Sequence, residues 1–98
     1  MTSLTELPPP LPADNHAAEV VRAFVAADGS LHVSVLPSFE TPDAWGLLLA
    51  DVARHVSRAY AADKICSEPE ALERIQSLWN AEFNSPTDLG TTNRMQYQ

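Results

Sequence analysis

Residues 19 to 37, EVVRAFVAADGSLHVSVLP, decide the fold of this chain because they predict a β-hairpin. Both arms are rich in Val and Phe side chains, which are favoured in strands. Between the arms, Asp28-Gly29 is a strong signal for a tight hairpin turn. We therefore expect two antiparallel strands joined by a short loop.

The alternation of apolar side chains predicts how the two strands pair. A two-residue loop on Asp28-Gly29 would place Arg22 among the apolar residues of the second strand. A three-residue loop, with Gly29 in the left-handed conformation, shifts the pairing by one residue and so exchanges the faces. Burial favours this second register, because all the apolar residues except Phe24 then share one face. That face would hold Val21, Ala23, Val25, Leu31, Val33 and Val35, and the other face Arg22, Phe24, His32 and Ser34.

Residues 41 to 60, TPDAWGLLLADVARHVSRAY, predict the first helix. Thr41 would cap its N-terminus, Pro42 suits the first helical position, and Asp43 lies near the positive end of the helix dipole. At ~100° per residue, a continuous apolar arc forms the expected core face: Trp45, Leu48, Leu49, Val52, Ala53, Val56, Ala59 and Tyr60. The opposite side would carry Asp51, Arg54, Ser57 and Arg58, with Leu47 as an apolar exception among them.

A second helix is predicted by SEPEALERIQSLWNAEFN, residues 67 to 84. Ser67 and Glu70 match a capping box, in which each side chain satisfies a backbone donor at the helix start. Glu70 and Arg74 form an (i, i+4) ion pair in the favourable order, and Pro86 would end the helix. The apolar stripe would be Leu72, Ile75, Trp79 and Phe83, with Ala71 and Leu78 at its margin.

The order strand, strand, helix, helix predicts an α+β fold, a ββαα unit whose two helices pack on one face of the hairpin. An isolated two-stranded sheet is marginal in water, so a dimer that joins two hairpins edge to edge would complete the burial. Residues 1–17 would be a flexible Pro-rich tail, 18–86 the single domain, and 87–98 a flexible C-terminal tail. Residues 94–98 could add a short edge strand.

The charge balance argues against several classes of partner. Thirteen acidic and six basic residues among 98 give a formal net charge of −7, and the basic ones are scattered. Nucleic acids and anionic membranes attract basic stripes, so we expect neither as a partner. No apolar run approaches the ~18 residues of a membrane span. The N-terminal residues do not resemble a secretory signal, and the single cysteine, Cys66, cannot form an internal disulfide. These features favour a cytoplasmic protein.

The segment SLHVSVLPSFETPDAWGLLLADVARHVSRAY, residues 30 to 60, resembles a family of short bacterial proteins that is catalogued only as a domain of unknown function. The resemblance covers roughly residues 18–85, and AWGLLLADVARHVSRAY carries most of it. It implies a compact domain that occurs independently. It implies no activity and no cofactor.

Two side chains allow a catalytic interpretation. His55 lies one turn after Asp51, whose carboxylate could orient the imidazole; a solvated charge cluster is the far commoner form of such a pair. Cys66 lies near the start of the second helix, which favours a reactive thiol, although a half-buried small residue is the commoner role. The three histidines show no metal-ligand spacing. We expect no cofactor and no metal.

The leading hypothesis is therefore a non-enzymatic interaction or accessory domain, which acts as a homodimer or with another protein. Phe24 points away from the predicted helices, and Leu47 is the other apolar outlier; together they favour a contact surface. The candidate interaction surface is Phe24, His32, Leu47, Asp51, Arg54 and Arg58. Two alternatives remain: a small-molecule groove between hairpin and helices, lined by Trp45, Tyr60 and Trp79, and a small enzyme that uses His55 or Cys66.

Overall fold

The computed structural model describes residues 4–13, 16–87 and 90–95. Its elements follow the order β1 (Val21–Val25), β2 (Leu31–Val35), α1 (Asp43–Ala62), α2 (Glu68–Asn84) and β3 (Thr91–Arg94). The α+β class is confirmed, with the hairpin followed by two helices. The third strand lies inside the segment predicted to be a flexible tail and overlaps the predicted edge strand, residues 94–98, only at Arg94. Residues 96–98 of that prediction lie outside the described residues.

The hairpin has the register that burial favours. Val21 pairs with Val35 and Val25 pairs with Leu31. The turn is closed by two backbone bonds, from Gly29 N to Ala26 O at 2.9 Å and from Ala26 N to Ser30 O at 2.8 Å. Gly29 has a φ of 89°, which a glycine adopts without steric cost. The predicted three-residue loop is therefore confirmed.

The third strand is parallel to β2 and gives a sheet with the order β1-β2-β3. Gly90 precedes this strand with a φ of 66°, and a Cβ atom there would lie 2.3 Å from the carbonyl oxygen of Leu31. At the other end of the strand, Met95 N donates to Val35 O at 2.7 Å. A glycine is thus required for β3 to approach β2 this closely.

The two helices begin in different ways. The predicted Thr41 cap is wrong, because Pro42 occupies the N-cap position with helical dihedral angles and offers no side-chain acceptor. At the second helix, Ser67 Oγ accepts a hydrogen bond from Glu70 N at 3.2 Å. This bond confirms Ser67 as the cap of α2. The helix ends at Asn84, two residues before Pro86.

The helices meet through small residues. Ser57 on α1 is fully buried, and Ala71 on α2 is buried as well. The prediction that Ser57 lies on the solvent face is wrong, because α2 packs beside the large apolar arc of α1 rather than on it. The Ser57 hydroxyl donates to Ala53 O at 2.8 Å, so its burial leaves no polar group unsatisfied.

The helix pair does not cover the sheet of its own chain. Within the described residues, no Cα atom of α1 or α2 lies within 8 Å of a Cα atom of the three strands. The predicted packing of both helices on one face of the hairpin is therefore not found in the single chain. The radius of gyration is 15.5 Å, compared with ~13 Å for a compact domain of about 100 residues.

We expect the Gly90→Ala variant to release β3 from β2. A non-glycine residue in the left-handed region costs roughly 1–3 kcal/mol, and the new methyl group would also meet the Leu31 carbonyl. Amide hydrogen exchange of Met95 measures the docking, and we expect it to accelerate at least about tenfold.

Gly46→Ala is the matched control for this experiment. A Cβ atom at Gly46 meets no atom within 4 Å, and alanine in a helix is favoured by up to ~1 kcal/mol over glycine. We expect this variant to be at least as stable as the natural chain, with unchanged Met95 exchange. Unchanged exchange in Gly90→Ala as well would contradict the requirement for glycine.

Candidate interaction surfaces

The apolar face of the sheet is uncovered in the single chain. Val25 is 74% exposed and Leu31 is exposed as well, although both belong to the side that the strand pattern reserves for burial. Such a contiguous apolar patch is rare on a soluble monomer and usually marks a contact surface. We call this patch the sheet face and define it as Val21, Ala23, Val25, Leu31, Val33 and Val35.

A second apolar surface lies on the helix pair. Leu78 is 65% exposed, and its neighbours along both helices are exposed too. Most of these side chains line an open groove of about 640 Å³ between the end of α1 and the middle of α2, together with Cys66, Arg74 and Glu82. We call this surface the helix face and define it as Val52, Val56, Tyr60, Ile65, Leu78 and Trp79.

The small-molecule groove predicted between hairpin and helices is not formed among the described residues. Both open grooves lie between α1 and α2, and the smaller one has a volume of about 250 Å³. Tyr60 and Trp79 share the larger groove. Trp45 lies elsewhere, edge to face with Phe39 at 5.2 Å between ring centroids. The three aromatic residues therefore do not line one site.

The six residues of the candidate interaction surface fall on two separate elements. Phe24 and His32 are neighbours on the polar face of the hairpin. The remaining four lie on α1, which makes no contact with the strands in the described chain. Leu47 is 68% exposed, Arg58 Nε lies 3.8 Å from Glu68 Oε2, and Arg54 borders the smaller groove. They do not form one surface within one chain.

Phe24 is half-buried rather than an exposed anchor. The guanidinium of Arg22 lies 5.4 Å from the centre of its ring, within the range of a cation–π contact. Arg22 is held there by ion pairs with Glu6 and with Glu19, the second at 3.1 Å. The hydrogen bond that Arg22 donates to Glu6 and the charge of Glu19 raise the pKa of Arg22. This face of the hairpin is therefore already covered by its own chain.

A polar network, which the sequence did not reveal, joins the hairpin turn to β3. Asp28 Oδ1 accepts from Ser30 N at 3.0 Å and from Ser30 Oγ at 2.7 Å. His32 Nε2 lies 3.0 Å from Ser30 Oγ, and His32 Nδ1 lies 2.5 Å from Thr91 Oγ1. Because the Ser30 proton goes to the carboxylate, the neutral imidazole donates from Nε2 and accepts from Thr91. Thr91 reaches this network only through β3.

The predicted catalytic side chains lie apart from this network. His55 and Asp51 are both exposed on α1, and no ion pair or hydrogen bond joins them in the part of the chain that the structure describes. Cys66 is half-buried at the larger groove. Among the described residues, no three His, Cys, Asp or Glu side chains are grouped to hold a metal ion. None of the described helices is long and apolar enough to cross a membrane.

Comparisons with known proteins place the chain among relatives. The model of the family described as "Domain of unknown function (DUF5076)" matches residues 5–87. The chain is also similar to a solved structure from the photosynthetic bacterium Rhodopseudomonas palustrus CGA009, which is named a "putative pyruvate dehydrogenase". That protein is 46% identical, with 97% of each chain covered and a TM-score of 0.68. No curated protein matches.

The Asp28 network predicts a measurable pH effect. The hydrogen bonds from the Ser30 hydroxyl and then from its backbone hold the pKa of Asp28 below its ordinary value of 3.8. A depressed carboxyl pKa adds stability above the ordinary value, and this contribution is lost as the pH falls through the folded-state value. Ser30→Ala should raise the pKa of Asp28 and flatten the loss of stability in acid.

Carboxyl chemical shifts in an NMR titration measure this change residue by residue. Glu82 is the internal control, because hydrogen bonds from the Thr87 hydroxyl and backbone lower its pKa independently. We expect the Glu82 titration to be the same in Ser30→Ala and the natural chain. An unchanged Asp28 titration in the variant would show that the hydrogen bond from the Ser30 hydroxyl to Asp28 does not form in solution.

Proposed function

This chain belongs to the DUF5076 family of domains of unknown function, and we propose that within it the protein is a non-enzymatic interaction domain that acts as a homodimer. One observation carries the proposal. On the sheet face Val25 and Leu31 are exposed, and on the helix face all six side chains are exposed in the single chain. A protein that is stable in water must cover such faces, and another protein surface is the simplest cover.

The accessible area supports an association of this kind. The chain exposes 8676 Å², while a compact monomer of 10.7 kDa would expose about 5,500 Å². Relative to an extended chain, folding alone removes about 44% of the surface, whereas a domain of only 60 residues removes ~60%. The exposed residues 4–13 contribute part of this excess, and a subunit interface would account for the rest.

A second copy is favoured over an unrelated partner because each chain carries both kinds of open face. An exposed strand face needs an apolar layer about 10 Å away, and the helix pair is such a layer. Two copies of the chain can therefore cover both the sheet face and the helix face without any other molecule. The charge on α1, with Asp51, Arg54 and Arg58 around Leu47, remains available to a further partner.

The oligomeric state tests this proposal directly. Sedimentation equilibrium should show a dimer for the natural chain. Val25→Asp places a carboxylate at the turn end of β1 on the sheet face, and burying an unpaired charge costs several kcal/mol. We therefore expect the dimer dissociation constant to rise at least about a hundredfold.

Leu47→Asp is the matched control, with the same chemical change at another exposed apolar residue. Leu47 lies on the opposite side of α1 from Val56, since the residues are nine positions apart at ~100° each. We expect its dissociation constant to equal that of the natural chain. A natural chain that is monomeric over the whole concentration range would rule out the homodimer.

The larger groove favours a second candidate function, the binding of a small molecule. Its volume of about 640 Å³ lies in the range of ligand sites, and Arg74 at its border could receive a carboxylate. The name of the similar structure suggests pyruvate as the first compound to try. Trp79 lines the groove, so a bound ligand would change its fluorescence.

A fluorescence titration separates the two functions. If pyruvate binds, the emission should change saturably, and Arg74→Gln should weaken the response. Arg58→Gln, which neutralises an arginine outside the groove, is the control. The homodimer proposal expects no saturable change at millimolar pyruvate, and a saturable, Arg74-dependent response would favour the binding function instead.

A further inference from the structure

We infer that the homodimer is built by exchange: the helix face of each protomer lies on the sheet face of the other. This inference rests on the proposed homodimer and specifies how its two copies fit together. Each protomer would thus complete the hydrophobic core of its partner, and neither core would exist in the single chain.

The linker between β2 and α1 is ordered by local contacts. Leu36 N donates to Val20 O at 2.8 Å, and Ser38 N and Oγ donate to Leu36 O at 2.7 and 2.9 Å. Phe39 packs edge to face on Trp45 at the start of α1. Pro37 and Pro42 further restrict the backbone. These contacts favour a fixed direction of the chain from β2 into α1, in which the helix pair lies away from its own sheet.

The sheet face fits within the helix pair. Its residues lie on β1 and β2, whose axes are about 5 Å apart, and the axes of two packed helices are separated by 8–10 Å. A strand of five residues spans ~17 Å, which is about the length of three turns of helix. Two packed helices are therefore wide and long enough to cover the sheet face.

The area also agrees with an exchanged dimer. Each chain exposes roughly 3,200 Å² more than a compact monomer of its mass, and the exposed residues 4–13 account for part of this excess. Obligate homodimers commonly bury 2,000 to more than 5,000 Å² in total. In the exchanged dimer, the helix face of each copy meets the sheet face of the other, which gives two equivalent contact areas. The total interface is therefore of the size found in obligate homodimers.

Charged side chains lie at the borders of both faces, and the groove of the helix face carries both Arg74 and Glu82. Arg94 on β3 is the neighbour of Val35 in the parallel ladder and so lies on the border of the sheet face. Glu82 is half-buried at the groove of the helix face, where Thr87 N donates to its carboxylate at 2.9 Å. In the exchanged dimer, these residues provide one positive and one negative border group on facing surfaces.

Thiol crosslinking between two differently labelled chains tests the exchange. Cys66→Ser first removes the natural thiol. One chain then carries Val33→Cys on the sheet face, and the other carries Leu78→Cys on the helix face. The two proteins are unfolded together, refolded as mixed dimers and treated with a short bifunctional maleimide.

We expect a covalent heterodimer on a denaturing gel, at a yield several-fold above that with Leu47→Cys in place of Leu78→Cys. Leu31→Cys with Ile65→Cys is a second pair for the same faces, in case Val33→Cys prevents folding. A single chain with both substitutions should likewise link to its partner rather than to itself.

The outcomes separate this inference from the proposed function. A dimer in sedimentation whose double-substituted chain links only within itself would overturn the exchange and leave the homodimer standing. A dimer in which neither pair crosslinks between chains would do the same and would favour pairing of the β1 edges. A strict monomer would overturn both.

Discussion

A small sheet is unstable in water unless one of its faces is covered by other apolar groups, because its own contacts do not offset the conformational entropy lost on ordering the strands. This requirement governs the present structure, because the three strands and the two helices each form a regular unit but do not meet within one chain. Each unit therefore depends on a surface that its own chain does not supply. The polar face of the hairpin is different, since Arg22, which is paired with Glu6, already lies over Phe24.

The parts of the fold that follow from local chemistry could be predicted from the sequence. The register of the hairpin is one such part, because a slip of one residue would place Arg22 on the apolar face. The start of α2 is another, since a single side chain, Ser67, provides the capping oxygen. Both features depend on residues that are close together along the chain.

The parts that the sequence did not predict depend on contacts between distant residues. Helical periodicity identifies the apolar arc of α1, but it does not show that α2 packs beside this arc and buries Ser57. The strand β3 has an ordinary polar sequence, and it forms because Gly90 allows a close approach to Leu31. The hydrogen bond between His32 and Thr91 was not predicted because it joins residues that are far apart along the chain. Within the candidate interaction surface, the exposure of Leu47 was predicted correctly. The contact of Arg22 with the Phe24 ring was not predicted.

The position of β3 has a consequence for the order of events during folding. The strand follows the helix pair along the chain, and its parallel pairing with β2 closes a long loop that contains both helices. Closing such a loop lowers the conformational entropy of the chain, and this loss must be offset by other contacts. In a dimer, the partner's surface would hold the helices in place before the loop closes. The strand β3 would then dock on β2 last, after the dimer has formed, and the rate of this docking would depend on protein concentration.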